Sequence, residues 1–219
     1  MKRIIGLSVA ALIIVALISG VTLAFFSDAE TSTANQFSAG TLNLKLSDNN
    51  QTDVDGVTAS FGGSNLQPGD ATGPSTVTLK NTGNLNADHV DLKFQNTVTD
   101  NAGYDAADLG ANIVDMSTVL TISAMSYGGA DLLSKTDNTF DNAYISAADT
   151  VGNGDRIITL NELNNVVIQG LAAPGANNGT AIFSITVTVP ASIGNGIQGD
   201  LVDVTLTFGL YQDASQHLS

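Results

Sequence analysis

The apolar residues of this chain recur with a period of two in six separate segments. In each segment alternate residues are apolar, and those between them are mostly Thr, Asn, Asp, Ser or Lys. Neighbouring side chains of a strand point to opposite faces, so this alternation is typical of antiparallel strands with one buried face. The apolar sets are Leu42, Leu44 and Leu46; Val77 and Leu79; Val90, Leu92 and Phe94; Leu120, Ile122 and Ala124; Phe183, Ile185, Val187 and Val189; and Val202, Val204, Leu206, Phe208 and Leu210.

Turn sequences separate these segments. They are Gln67-Pro68-Gly69-Asp70, Asn81-Thr82-Gly83-Asn84, Gly128-Gly129 and Gly194-Asn195-Gly196. Gly, Pro, Asn and Asp favour tight turns because they accept or fix the backbone angles that a turn requires. Strands and turns together predict an all-β fold, an antiparallel β-sandwich of two sheets formed by one domain, 39–219.

One segment has helical spacing instead. Thr159 and Glu162 are three residues apart, as in a capping box, where hydroxyl and carboxylate each accept a hydrogen bond from an N–H that a helix start leaves unpaired. Apolar residues then continue at helical spacing as far as Gly170: Leu160, Leu163, Val166 and Val167. We predict one short helix here, and the run 105–108 is a second candidate for a helical turn.

The first 24 residues have the pattern of a cleaved secretion signal. Two basic residues precede the apolar run 4–24, which ends in small side chains of the kind that a signal peptidase accepts. We predict a signal peptide, 1–24, cut between Ala24 and Phe25. The alternative is that 4–24 stays as a membrane anchor, since its length is about that needed to span a bilayer. Any contact with the membrane is expected only through this uncleaved leader.

Charge and cysteine content restrict the partners. The chain has 21 acidic and 7 basic residues, a formal net charge of -14, and no cysteine. Such a surface repels phosphate, which excludes nucleic acid as a partner. An exported protein without disulfides must be held together by packing, hydrogen bonds, bound ions or neighbouring subunits.

Several segments at both ends of the chain resemble one family. They are Phe25-Phe26-Ser27-Asp28, a polar tract ending in Phe37, Ala39-Gly40-Thr41-Leu42-Asn43-Leu44, Asn65-Leu66-Gln67-Pro68-Gly69-Asp70, Lys80-Asn81-Thr82-Gly83, Asn195-Gly196-Ile197-Gln198-Gly199-Asp200 and the residues 204–212. In these segments the chain is similar to the TasA and camelysin (CalY) family of exported fibre proteins, which includes the subunits of archaeal bundling pili. The middle of the chain, 97–173, carries no diagnostic match.

The resemblance implies a jelly-roll-like sandwich that polymerises when the mature amino-terminal segment of one subunit inserts as a strand into the next. We therefore predict a donor strand, 25–38, with Phe25, Phe26 and Phe37 as its anchors. A sandwich with a missing strand has an open edge and an apolar groove that a neighbour's strand can fill. The prediction is a secreted homopolymer, a pilus or a biofilm-matrix fibre. The alternative is that 25–37 is an ordinary leader or the domain's own first strand.

The resemblance also brings in an enzyme as a rival, because camelysin-type members have been described as metallopeptidases. A common zinc peptidase site needs two histidines one helical turn apart beside a glutamate. The two histidines, His89 and His217, have no such spacing, and the two glutamates are Glu30 and Glu162. Cysteine and a Gly-x-Ser-x-Gly elbow are also absent from the sequence. We predict no catalytic residues and assign both histidines structural or incidental roles.

A calcium loop is the one cofactor site that the sequence suggests. Its candidate ligands are Asp149, Asn153, Asp155 and Glu162. Asn153, Asp155 and Glu162 fit positions three, five and twelve of such a loop. Position six is Arg156 instead of Gly, and Asp149 contributes only if the loop bulges. If the loop binds no calcium, it is a capped helix that follows an acidic turn. If it does, a monomeric, calcium-stabilised surface adhesin is a further alternative for the function of the protein.

Two Asn-x-Thr sequons, at Asn50 and Asn178, are candidate sites of N-glycosylation. Both lie in stretches rich in Gly and Asn, which we expect to form surface turns. Such triplets also arise by chance in a chain rich in Asn and Thr.

Overall fold

A computed structural model describes residues 40–48, 51–57, 66–99, 115–193, 197 and 200–219. The predicted signal peptide, the predicted donor strand and the candidate turn 105–108 lie outside these residues. The strands of the described part are β1 Leu44–Asp48, β2 Gln51–Val54, β3 Ala71–Asn81, β4 His89–Thr99, β5 Thr121–Tyr127, β6 Ala130–Asp131, β7 Lys135–Thr136, β8 Thr139–Phe140, β9 Val167–Ala172, β10 Gly179–Thr188 and β11 Leu201–Tyr211. Its helices are α1 Met116–Val119, α2 Ala143–Gly152 and α3 Leu160–Leu163. None of these helices is long and apolar enough to cross a membrane.

The strands form two antiparallel sheets and a small hairpin. Sheet A has the order β2-β1-β3-β10-β5-β6, sheet B has the order β11-β4-β9, and β7 pairs with β8. Every strand pair in the described residues is antiparallel. The predicted all-β, antiparallel sandwich with few short helices is confirmed.

The core lies between the inner faces of the two sheets. The ring of Phe183 in β10 packs edge-on against Phe94 in β4, with centroids 6.3 Å apart, and against Phe208 in β11 at 5.7 Å. The predicted inner residues of β3, β4 and β10 are all buried: Val77, Leu79, Val90, Leu92, Phe94, Phe183, Ile185 and Val187. The period-two pattern therefore identified the inner face of these three strands correctly.

The predicted alternation of β5 is wrong beyond Ile122. Adjacent residues of β10 pair with Ile122 and Ala124, so Ser123 is an extra residue and forms a β-bulge. Beyond the bulge the side chains change face. Ala124 is exposed, whereas Met125 and Tyr127 are buried.

The predicted capping box is present, but the helix it starts is shorter than predicted. The Thr159 N–H donates to Glu162 Oε2 at 2.8 Å, and the Glu162 N–H donates to Thr159 Oγ1 at 3.2 Å. Helix α3 ends at Leu163, and the predicted continuation to Gly170 is wrong. Asn165 has a positive φ of 64° and donates its N–H to the carbonyl of Phe94, which turns the chain into β9.

Helix α2 was not predicted from the sequence. Its N-cap is Asn142, whose side-chain oxygen accepts hydrogen bonds from the N–H groups of Tyr144 and Ile145. Ile145, Ala148 and Asp149 form its buried side. The sequence pattern that could have predicted α2 is therefore Asn142 followed by a short amphipathic stretch.

In the turn after β3, hydrogen bonds and close packing require an asparagine at 81 and a glycine at 83. Asn81 is fully buried, its side-chain amide donates to the Leu85 carbonyl at 2.9 Å, and its oxygen accepts from the Gly83 N–H at 3.0 Å. A Cβ on Gly83 would lie 2.1 Å from the Thr41 carbonyl oxygen. The segment before β1 thus packs closely on this turn, and only glycine fits.

Candidate functional site

The free edge of β11 is the first candidate site. Strand β11 pairs with β4 along its whole length, and no other strand of the described residues pairs with it. In β4, the Phe94 N–H donates to the Val166 carbonyl, and the Phe94 carbonyl accepts from the Asn165 N–H. Both backbone groups of Phe94 therefore point towards the β9 side and away from β11. Leu206, which lies opposite Phe94, therefore directs its own N–H and C=O away from β4. The residues two apart from it share this direction: Val202, Val204, Phe208 and Leu210.

An apolar groove of about 670 Å³ lies beside this edge. The inner side chains of β11 line it and are only half-buried, unlike the buried inner side chains of β4 and β10. Its other apolar lining residues come from sheet A, from α1 and α3 and from the segments that connect these elements: Leu46, Val57, Leu66, Val77, Met116, Leu120, Leu160 and Val187. The described domain therefore has an open strand edge and an uncovered apolar surface at the same place.

The candidate calcium ligands bind mainly to the backbone of their own loop. Asp149 Oδ1 accepts from the Arg156 N–H at 2.8 Å, and Asp155 Oδ1 accepts from the Ile157 N–H at 2.8 Å. Asn153 Oδ1 accepts from the Asp155 N–H at 2.9 Å. These hydrogen bonds form a turn that connects α2 to α3.

Glu162, the last candidate ligand, has two different oxygens. Its Oε2 belongs to the capping box, and its Oε1 is buried against Gly152 and has no hydrogen-bond partner within the described ranges. In the part of the chain that the structure describes, Asp149, Asp155 and Glu162 do not form a group whose ligand oxygens all lie within 4.8 Å of one another. Calcium binding by these residues stays a prediction.

The two sequons lie in different parts of the chain. Asn178 is exposed in the turn before β10, with a φ of 77°, and its N–H donates to the Asn81 carbonyl at 2.8 Å. Asn50 lies outside the described residues. Glycosylation of either residue stays a prediction.

The outer face of sheet B carries a second candidate site. His89 and Asp91 are alternate residues of β4 and point away from the core, yet both are buried because the C-terminal segment 212–219 covers them. His217 lies in that segment, and its Nδ1 is 3.0 Å from Asp91 Oδ2. Further along, Lys93 Nζ donates to the Ser219 carbonyl at 2.7 Å. The segment therefore runs along the outer face of β4.

Asp91 is the centre of this cluster. It is fully buried and accepts hydrogen bonds from the N–H groups of Gly170 and Leu218, each at 3.1 Å. The Nε2 atom of His89 lies 3.3 Å from Asp91 Oδ1 without a hydrogen bond, and this buried nitrogen has no hydrogen-bond partner in the described part of the chain. The other ring nitrogen, Nδ1, lies 2.9 Å from Asp88 Oδ2.

Aromatic rings surround His89. Its ring stacks on Tyr211 at 5.3 Å and lies 5.0 Å from the ring of His217, tilted by 46°. Burial and the negative charge of Asp91 raise the pKa of Tyr211, so its hydroxyl keeps its proton beside the carboxylate. In the described residues, His89, Asp91 and His217 are the one group of three metal-ligating side chains with ligand atoms within 4.8 Å of one another.

The sequence did not predict that the two histidines meet. His89 and Asp91 have the i, i+2 spacing that places two side chains on one face of a strand. This spacing was the only sign in the sequence that these two residues of the cluster lie side by side. His217 is 126 residues from Asp91 and lies in a segment without periodic pattern. Its position depends on how the C-terminal segment folds back over sheet B.

Comparison with known families agrees with the resemblance noted in the sequence. A family model described as "Camelysin metallo-endopeptidase" matches residues 1–121, more than half of the chain. The match contains His89 and Asp91 but ends before His217. A search of curated proteins found no significant match. The chain belongs to the camelysin metallo-endopeptidase family.

Proposed function

We propose that the protein is a structural subunit of an extracellular filament, a pilus or biofilm-matrix fibre. In this proposal the segment 25–38 of one secreted, cleaved copy adds as a strand beside β11 of the next copy. The observation that carries the proposal is that, among the described strands, β11 is paired on one side only and lies beside an apolar groove. Unpaired edges promote association, and an added strand satisfies their N–H and C=O groups.

The length of the donor segment fits this edge. A strand rises about 3.3 Å per residue, so the eleven residues of β11 extend over about 36 Å and the residues 25–37 over about 43 Å. Val202, Val204 and Leu206 direct backbone groups to the free side and can pair with the donor. The segment is long enough to pair with the whole strand.

The side chains of the donor segment also fit the groove. Residues of equal parity share a face, so Phe25 and Phe37 lie on one side of a regular strand with Ala29. Phe26 lies on the other side with Asp28 and Glu30. Since the charged side must face water, we assign the groove contacts to Phe25 and Phe37. This narrows the three anchors predicted from the sequence to two.

The expected free energy of inserting the donor segment favours assembly. Burial of two phenylalanine side chains contributes roughly 3–6 kcal/mol, and further apolar area is buried when the half-exposed side chains of β11 are covered. The entropy that the donor segment loses when it becomes ordered reduces this stabilisation. The contact is head-to-tail, because the donor segment and the acceptor edge are different surfaces. Such contacts produce an open filament when they do not close into a ring.

Substitution of Phe37 tests the assignment. Phe37→Ala is expected to raise the protein concentration needed for assembly by about 30-fold, because loss of an anchor in an interface costs about 2 kcal/mol or more. The matched change Phe26→Ala, on the other face, is expected to shift it less than about threefold. Sedimentation of filaments over a concentration series measures both. Equal effects of the two changes would contradict the assigned face.

A cell-surface metallopeptidase is the second candidate function. The family description and the cluster of His89, Asp91 and His217 favour it. A hydrolytic zinc site also needs a base near the bound water. Glu162 is committed to the capping box and Asp88 lies beside His89 Nδ1, so neither takes that role in this structure. Casein cleavage by the zinc-loaded protein, abolished by a chelator, would establish a peptidase.

A further inference from the structure

We propose that His89, Asp91 and His217 bind a divalent ion of the zinc class, and that this ion fastens the C-terminal segment 212–219 to the outer face of sheet B. The site does not depend on the donor strand. The family description implies a metal, and this cluster is the group of described residues that fits one.

The donor atoms have the right chemistry and spacing. Zinc in proteins takes imidazole nitrogens and carboxylate oxygens at about 2.0–2.2 Å, which separates tetrahedral ligand atoms by about 3.3–3.6 Å. Here His89 Nε2 lies 3.3 Å from Asp91 Oδ1, within this range, whereas His217 Nδ1 lies 3.0 Å from Asp91 Oδ2, about 0.3 Å closer than zinc ligands stand. Two imidazoles and one carboxylate favour zinc or a similar transition metal over calcium, which prefers oxygen ligands alone.

The environment of His89 is the strongest argument for an ion. Asp88 Oδ2 lies 2.9 Å from Nδ1, and because a carboxylate only accepts hydrogen bonds, we assign the proton of the neutral ring to that nitrogen. Nε2 then carries a lone pair, which faces the buried carboxylate of Asp91 and has no hydrogen-bond partner among the residues that the structure describes. Two buried acceptors that face each other are unfavourable unless a cation lies between them. A carboxylate on the distal nitrogen is also the usual outer-shell partner of a zinc-bound histidine.

Asp91 adds a buried charge that needs compensation. Its carboxylate is fully buried, and the N–H groups of Gly170 and Leu218 that bind it carry no net charge. The ring nitrogens of the two histidines also lie close to it, His217 Nδ1 at 3.0 Å and His89 Nε2 at 3.3 Å. The nearest lysine along the same face of β4, Lys93, donates to Ser219 instead. Burial of an ionised carboxylate is costly without a positive partner, and a divalent ion between Asp91 and the histidines supplies one.

The position of the ligands indicates a structural role for the ion. His89 and Asp91 belong to β4, whereas His217 belongs to the segment that follows β11. The ion would join these two parts of the chain at the end of β11, next to the ring of Tyr211. It would hold the C-terminal segment over sheet B in the way that a disulfide does in other exported proteins, which this cysteine-free chain cannot use.

Zinc titration of the full chain, first freed of metal by a chelator, tests the site. Calorimetry is expected to show one zinc ion per chain. His217→Gln is expected to lower the affinity at least about 100-fold, because it removes one of three ligands. The control Asp213→Asn removes a carboxylate from the same segment outside the cluster and is expected to leave the affinity unchanged within about twofold. Circular dichroism checks that both variants are folded.

Two further readouts identify the site in the wild type. Cobalt in place of zinc should give the visible absorption of a four-coordinate nitrogen and oxygen site. Zinc should slow amide hydrogen exchange in 212–219 in the wild type and in Asp213→Asn, but not in His217→Gln. A folded wild type that binds no zinc, or equal binding by His217→Gln, would overturn the proposal.

Discussion

Val204→Lys is expected to abolish filament assembly while the subunit stays folded. The side chain of Val204 is half-buried and lines the groove, and its backbone groups point to the free edge of β11. In the isolated subunit a lysine can extend through the open groove to water. A donor strand would bury the charge without a partner, at a cost of several kcal/mol. The assembly concentration should therefore rise more than about 100-fold.

Thr205→Lys is the matched control. Thr205 is the next residue of β11, is exposed and points to the opposite face, so its lysine stays in water. Filaments of this variant should form as in the wild type. Pelleting, negative-stain microscopy and thermal unfolding measure assembly and folding for both variants. Assembly of folded Val204→Lys at wild-type concentrations would contradict the assigned acceptor edge, as would equal failure of both variants.

Phe183→Ala is expected to lower the free energy of unfolding by about 3–5 kcal/mol, the usual cost of a large core truncation. Phe183 is fully buried and its ring contacts Phe94 and Phe208 from the other sheet. Its removal leaves a cavity where the two sheets meet. Because Phe208 belongs to β11, the cavity should also loosen the acceptor strand and weaken assembly.

The neighbouring residue provides the control for this change. Ile182 is 51% exposed on the opposite face of β10, so Ile182→Ala should change stability by less than about 0.5 kcal/mol. Urea unfolding followed by circular dichroism measures both variants. A loss below about 1 kcal/mol for Phe183→Ala would show that the sheets do not pack through this ring.

Much of the fold could be predicted because local patterns determine it. The alternation in β3, β4 and β10 identified their buried faces. When one face of a strand lies in the core, a shift by one residue would move all its apolar side chains to the other face, so the pattern permits only one orientation. The capping box of Thr159 and Glu162 identified the start of α3 for a similar reason. Two side chains at a fixed spacing are enough to satisfy the first turn of a helix.

Other features depend on partners that the local sequence does not reveal. The bulge at Ser123 arises from the pairing of β5 with β10, and the end of α3 depends on the bond from Asn165 to the Phe94 carbonyl. Only the sheet order shows that β11 is an edge strand. Its own alternation is as regular as that of a central strand, so the groove beside β11 could not be predicted from it.

Electron microscopy of the mature chain, 25–219, beside a chain that lacks 25–37 tests the central claim most directly. Both proteins are incubated overnight at the same concentration, and their folding is compared by circular dichroism. The mature chain is expected to form filaments, and the shortened chain to remain a folded monomer. Filaments formed by the shortened chain would contradict assembly through the amino-terminal strand.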